Sequence, residues 1–302
     1  MPSTFRTAVI RTPGGPDAIE ITDVPVVEPG PGEVRVAIAG AAVNPVDLGV
    51  VAGVFHQLGL VNQPEHTGLG WDFAGTVVAT GPDVDLPVGS RVAGLVTGFD
   101  RDFGTYAEQL VVPARDTAPV PDGLDLTEAA AVPLNGLTAA GIVDLLGEGA
   151  GRSLLVTGAA GAVGGYVLSL AAERGWRVTG LARAADEEFV RGLGAEFLTT
   201  ATPGWDAVAD AATLQEEGVA LVADGGLFVG VRPGMAPAAE RGVTVEVVGV
   251  EPDRARLAAL LDATARGELP ARVHAVLPLD QVAAAHRAVA EGGVRGRFVL
   301  RP

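Results

Sequence analysis

Leu154-Leu155-Val156-Thr157 runs directly into Gly158-Ala159-Ala160-Gly161-Ala162-Val163-Gly164, and a helix-forming stretch follows. A strand, a glycine turn and a helix start are the parts that hold a pyrophosphate. The glycines let backbone N–H groups approach the oxygens, and the helix dipole favours the negative charge. Counted against G-x-G-x-x-G, the frame is Ala159-x-Gly161-x-x-Gly164, so alanine replaces the first glycine. The turn predicts a dinucleotide site whose cradle is Gly158, Ala160, Gly161, Ala162, Val163 and Gly164; the alternative is a strand–helix turn with no ligand.

About 20 residues past such a turn, an NAD site usually carries Asp or Glu to bond the ribose hydroxyls. Here the second strand ends Gly180-Leu181-Ala182-Arg183. A guanidinium there can stack on adenine and pair with a 2′-phosphate, which an acid would repel. Arg183 therefore points to NADPH. Asp186-Glu187-Glu188 just beyond competes with that reading, unless these acids serve the start of the next helix.

The elements that must position these groups follow from the rest of the 302 residues. The first 120 are rich in Val, Gly and Pro. Short β-like runs at 7–10, 33–38, 75–78, 91–95 and 106–112 are separated by turn clusters such as Pro29-Gly-Pro-Gly32, which predicts an antiparallel, barrel-like β domain. Near Leu126 the pattern changes. Thr127 is the expected N-cap of a helical stretch. Strands at 153–157, 177–181, 207–210, 227–231 and 243–248 then alternate with helices at 165–174, 186–193 and 254–266. Alternation with short links predicts a parallel, doubly wound α/β sheet. Strands at 273–277 and 296–300 flank a helix at 279–291, and the chain is expected to return to the first domain. The expected division is 1–122, 123–266 and 267–302.

Composition narrows the chemistry. A net charge of −16 disfavours nucleic acid and anionic membrane surfaces. All basic residues are Arg, so lysine Schiff-base chemistry is absent, and with no Cys so are thiolate catalysis and cysteine-held zinc. The four His, at 56, 66, 274 and 286, show no metal-ligand spacing. The N-terminus does not read as a signal peptide and no long apolar span appears, so a cytoplasmic location is expected.

Ordered pieces along nearly the whole chain resemble the quinone oxidoreductase and enoyl reductase branch of the medium-chain dehydrogenase/reductase superfamily. They are Ala41-Ala-Val-Asn44-Pro45-Val-Asp47, Gly70-Trp71-Asp72-Phe-Ala-Gly75, Val88-Gly-Ser-Arg-Val92, Gly104-Thr-Tyr106-Ala-Glu108, Glu128-Ala-Ala-Ala-Val-Pro133 with Leu137-Thr138-Ala139, the glycine turn, and Arg295-Gly296-Arg297-Phe-Val-Leu300. The resemblance implies an N-terminal GroES-like β-barrel domain, a Rossmann domain, an active site in the cleft between them, and a homodimer joined through its Rossmann sheets, with 226–230 near the joining edge. Zinc-bearing relatives carry a Cys and a Gly-His-Glu motif where this chain has Asn44 and Gly70-Trp71-Asp72, so the metal-free branch is implied.

The same resemblance suggests roles. Asn44 is expected beside the nicotinamide and the substrate carbonyl, its amide donating to oxygen as charge develops. Thr138, Val229, Gly230 and Arg297 are expected at the cofactor. Asp47 is expected to orient its loop, and Tyr106 to be a core or cleft-wall aromatic. A Tyr that many relatives have after the Asn-x-x-Asp motif is missing from Leu48-Gly49-Val50, which leaves His56 as the one ionisable ring to nominate as proton donor. The implied function is NADPH-dependent reduction of a small quinone or enone. A stand-alone enoyl reductase, or a non-redox cyclase of a polyketide pathway, is the alternative.

Overall fold

The computed structural model describes residues 4–302. By contacts the chain forms two compact units. One takes the chain up to Leu134, with Glu251–Arg266 and Ala271–Pro302; the other is Asn135–Val250 with Gly267–Pro270.

The first unit is mostly β. Thr4–Ile10 pairs antiparallel with Ile19–Pro25 and with the short strand Thr67–Gly68. A seven-stranded sheet runs in the order Val273–Pro278, Arg297–Arg301, Glu33–Ala42, Asp72–Thr80, Arg91–Leu95 and Thr117–Pro119, and Gln109–Pro113 pairs alongside Glu33–Ala42. Glu33–Ala42 alternates buried and half-buried side chains, the period-two signature of a strand with one face on a core. Val34, Val36 and Ile38 enter that core with Phe73, Val77, Val92 and Tyr106. Arg297–Arg301 pairs with Ala41 and Ala42, so the end of the chain closes the sheet beside Asn44.

The second unit holds a six-stranded, wholly parallel sheet in the order Glu196–Leu198, Arg177–Leu181, Ser153–Thr157, Trp205–Asp210, Val222–Gly230, Thr244–Val247. The order reverses between Ser153–Thr157 and Trp205–Asp210. In such sheets the crevice at that reversal, beyond the carboxyl ends of the strands, is where ligands bind.

Several boundaries differ from the sequence-based expectation. Asp125, not Thr127, caps the helix Leu126–Ala129, accepting the Thr127 N–H at 2.7 Å. That helix packs on Glu33–Ala42 and Asp72–Thr80, so the first unit runs to Leu134 rather than 122. Helix Arg254–Ala265, expected with the second domain, packs on Thr117–Pro119 of the first. The strand expected at 227–231 begins at Val222, ahead of a register shift against Trp205–Asp210.

Candidate functional site

The glycine turn lies at the sheet's reversal point. Two groups tie the neighbouring strand ends together. Thr157 Oγ1 donates to Asp210 Oδ1 at 2.6 Å and accepts the Ala212 N–H at 3.1 Å; Asp210 Oδ2 accepts the Gln215 N–H at 2.9 Å. Asp210 is fully buried, and Gly230 pairs with it across the sheet. Val229 and Gly230 therefore stand on the same carboxyl edge as the turn.

Gly158 has φ +59°, where a side chain is strained. A Cβ on Gly164 would sit 2.3 Å from Gly158 O, so only glycine lets the helix start close against the turn. The alanine in place of the first glycine is accommodated next door: a Cβ on Gly180 would stand 2.8 Å from the Ala159 methyl. Helix Ala162–Glu173 begins after Gly161 with no side-chain cap and no acid in its first turn. Its leading N–H groups have no intrahelical acceptor, and the dipole makes this end attractive to an anion. These residues fit the pyrophosphate of a dinucleotide.

Arg183 follows Arg177–Leu181, and its Nε lies 3.3 Å from Asp186 Oδ2, with Arg183 56% and Asp186 3% exposed as side chains. Asp186 is thus a buried anchor for the guanidinium. Thr138 lies on helix Pro133–Leu146 and is nearly buried.

The first unit holds a second cluster, centred on Asn44. Pro45 restricts the residue before it to extended backbone, and Asn44 has φ −113° and ψ 156°. Its N–H donates to Asp47 Oδ2 at 2.8 Å. Its Nδ2 donates to Asp72 Oδ2 at 2.8 Å and to Ala42 O at 3.3 Å, and its Oδ1 accepts from Arg297 Nε at 2.8 Å. Asp72 Oδ1 accepts the Leu134 N–H at 2.5 Å, at the start of helix Pro133–Leu146. Tyr106 Oη donates to Asp47 Oδ2 at 2.8 Å. Asn44, Asp47, Asp72 and Tyr106 are all buried.

Burial dominates the electrostatics. It raises Asp72 to about 7, against the pull of the Asn44 amide and the Leu134 N–H. It raises Asp47 to about 6, against the Asn44 N–H and the Tyr106 hydroxyl. It lowers the Arg297 guanidinium to about 10, with Asp72 and Asp47 opposing, and the Arg101 guanidinium to about 10, with Asp47 opposing. Burial therefore makes the two aspartates hold their protons to a higher pH than exposed carboxyls, while both guanidinium groups stay protonated near neutral pH.

Three expectations change. Both Asn44 amide protons are engaged by Asp72 and Ala42, so Asn44 holds its loop instead of presenting a donor to a substrate oxygen. Arg297, expected at the cofactor, directs Nε to Asn44 and Nη1 to Gly296 O. His56 lies on the short helix Val54–Gln57 with Nδ1 buried and without a partner; no hydrogen bond joins it to the Asn44 cluster. His66 packs on the Phe103 ring at 5.5 Å, as a packing residue would. Among the described residues no group of three or more His, Cys, Asp or Glu is placed to hold a metal ion, and no helix is long and apolar enough to cross a membrane.

Sequence reading gave no role to Asp72, Arg101 or Asp210. Asp72 is visible inside Gly70-Trp71-Asp72, but its partners lie 28 and 62 residues away. Arg101 stands between Asp100 and Asp102, which reads as surface; in the structure it donates to Gly70 O at 2.5 Å and Val96 O at 2.8 Å.

Residues 30–122 match the family described as "Alcohol dehydrogenase GroES-like domain", and residues 184–300 match "Zinc-binding dehydrogenase". "Trans-enoyl reductase pgmF" of Aspergillus terreus is 33% identical over 174 residues, 55% of this chain and 48% of that protein. The chloroplastic "Quinone-oxidoreductase homolog" of Spinacia oleracea is 33% identical over 198 residues, 63% of this chain and 59% of that one. A crystal structure of an NAD-dependent alcohol dehydrogenase shares 31% identity at a TM-score of 0.84, covering 98% of this chain and 99% of its own. The chain spans about half of the two curated relatives, and 4–11% of the polyketide synthases it also matches.

Proposed function

The chain belongs to the medium-chain dehydrogenase/reductase superfamily, and from that premise we propose that it is an NADPH-dependent, metal-independent oxidoreductase reducing a quinone or another α,β-unsaturated carbonyl compound. The observation that carries this reading is the uncapped helix start at Gly161, on a turn where Gly158 and Gly164 admit no side chain, followed by Arg183.

Each part of the chain has a task in this reading. The leading N–H groups of helix Ala162–Glu173 hold the pyrophosphate. Arg183, anchored on Asp186, pairs with the 2′-phosphate and supplies local positive charge in a chain of net charge −16. When bound, the reduced nicotinamide supplies a hydride. Asp72, Asn44 and Arg297 fix the backbone of the loop from Asn44 onward, so that the acceptor meets a rigid wall. Water provides the proton.

Equilibrium titration of both dinucleotides tests the cofactor part. Wild-type protein is expected to bind NADPH more tightly than NADH, and Arg183→Glu to lose about tenfold or more of NADPH affinity while keeping that for NADH. Full NADPH affinity in Arg183→Glu overturns the role of Arg183. A second reading, reduction of an enoyl thioester by the same chemistry, is favoured by the likeness to the trans-enoyl reductase. A cytoplasmic homodimer belongs to the same proposal, joined through the edge strand Thr244–Val247, whose neighbour is Val222–Gly230.

A further inference from the structure

The chain has three tryptophans. Two direct the indole N–H to a backbone carbonyl: Trp176 Nε1 to Gly147 O at 2.9 Å, and Trp205 Nε1 to Thr202 O at 3.0 Å. Trp71 differs. It is 6% exposed, and its Nε1 is buried without a hydrogen-bond partner. Buried indole N–H groups ordinarily find an acceptor, so an orphan one needs an explanation.

Its position supplies one. Trp71 adjoins Asp72, the residue that holds Asn44. On its other side Gly70 has φ +92°, and a Cβ there would stand 2.4 Å from Tyr106 and Thr105 side-chain atoms, so the backbone at this point is pinned. The Trp71 carbonyl accepts the Val96 N–H at 2.8 Å. The Arg101 guanidinium lies 5.3 Å from the Trp71 ring centre; a cation over an indole withdraws density and makes its N–H a better donor. Elsewhere in the cluster the Asn44 amide is engaged with Asp72 and Ala42, the Tyr106 hydroxyl with Asp47, and Arg297 Nε with Asn44. Arg101 Nε and the Thr105 hydroxyl are, like Trp71 Nε1, buried without a partner, and of the three it is Trp71 that packs against Phe99.

The surroundings of Trp71 indicate what kind of acceptor fits. Phe99 meets it edge-on at 5.2 Å, and Phe55 lies nearly parallel on Phe99 at 3.7 Å and 19°. Aromatic side chains prefer offset or edge-on pairs, with centres about 4.5–7 Å apart, because two electron-rich faces repel. The Phe55–Phe99 contact is tighter than that. An electron-poor ring in place of Phe55 would turn the repulsion into attraction. Phe55 can yield its place: it sits on the four-residue helix Val54–Gln57, between Gly53 at φ +80° and Gly59 at φ +70°, beside the exposed Leu58 and Leu60. Its ring also fills the space that a side chain at Gly49 would take, 2.8 Å from the position of a Cβ there.

We propose that the acceptor is a flat, electron-poor ring carbonyl, a quinone, which displaces Phe55 from Phe99 and receives on its carbonyl oxygen the Trp71 Nε1–H. This rests on the reading of the chain as a conjugated-carbonyl reductase, and it narrows the substrate class. As the ring is reduced by hydride from NADPH, the electron pair collects on the carbonyl oxygens. Trp71 stabilises that charge by a hydrogen bond and keeps its proton, since an indole N–H is too weak an acid to give it up. Water protonates the product to the hydroquinone.

The test uses the whole chain, labelled with 15N at the indoles, and 1,4-naphthoquinone without any reductant. Trp176→Phe and Trp205→Phe identify two of the three indole signals, so assignment does not depend on a Trp71 variant folding. The quinone is expected to shift the Trp71 N–H signal downfield and leave the other two in place. Trp71→Phe and Phe99→Leu are each expected to weaken quinone binding about tenfold. Quinone binding with the Trp71 signal unmoved overturns the proposal, and so does no binding at all. A moved Trp71 signal in a protein that never oxidises NADPH upholds the site and removes the reductase reading. Turnover with that signal unmoved does the reverse.

Discussion

Asp72 accepts the Asn44 side-chain N–H at 2.8 Å through one oxygen, and through the other it accepts the Leu134 N–H at the head of a 14-residue helix. One buried carboxylate therefore sets both the loop that begins at Asn44 and the entry of the helix that carries Thr138. A group with two such donors on it has no isosteric substitute.

Asp72→Asn illustrates this. Its amide would turn an N–H toward either Asn44 Nδ2 or Leu134 N, leaving a buried donor unmade at a cost of about 1–3 kcal/mol. Denaturant unfolding at neutral pH is expected to show that loss.

The pH dependence of the same pair carries a sign. Asp72 is raised from its ordinary 3.8 to about 7. Between those values the folded chain holds a proton that the unfolded chain has released, so its contribution to stability is complete below about 4 and lost as pH climbs to about 7. The stability difference between wild type and Asp72→Asn is expected to shrink across that window. A difference that widens toward pH 7 would show that the carboxylate is held ionised.

His286 works in the opposite direction. It is fully buried against the Tyr106 ring, with both ring nitrogens unpartnered, and burial lowers it from 6.5 to about 4. Below about 6.5 the unfolded chain takes up a proton that the folded chain refuses, so stability falls as pH drops from about 6.5 toward 4. Replacing the ring by leucine is expected to remove this acid-side decline in melting temperature, whatever it does to stability at pH 7.

Gly164→Ala places a methyl 2.3 Å from Gly158 O, whereas Gly161→Ala meets the same oxygen at 3.0 Å. The first is expected to abolish dinucleotide binding, and the second to weaken it, in a fluorescence titration with NADPH. Equal affinities in the two variants would mean that the turn does not cradle the ligand.

Legibility in the sequence followed range. The glycine turn was readable because its requirements are local: a strand, small residues and a helix start within a dozen positions. The strand–helix alternation was readable for the same reason. The Asn44 cluster was only half readable. Asn44-Pro45-x-Asp47 shows its capping arrangement in four residues, but Asp72, Leu134 and Arg297 reach Asn44 or one another across 28, 62 and 253 positions, which no spacing announces. Reading Asn44 as an available donor failed because its availability depends on those distant partners. The Thr127 position reads as a cap by residue type, but Asp125, two residues earlier, takes that role by accepting the Thr127 N–H, so the helix starts sooner.

The proposed reduction is tested most directly by following NADPH and NADH oxidation side by side, with 1,4-naphthoquinone and a simple enone as acceptors and no added metal. The expected result is turnover that favours NADPH over NADH by about tenfold or more. No oxidation of either dinucleotide by either acceptor, with no rise in melting temperature on adding NADPH, would contradict it.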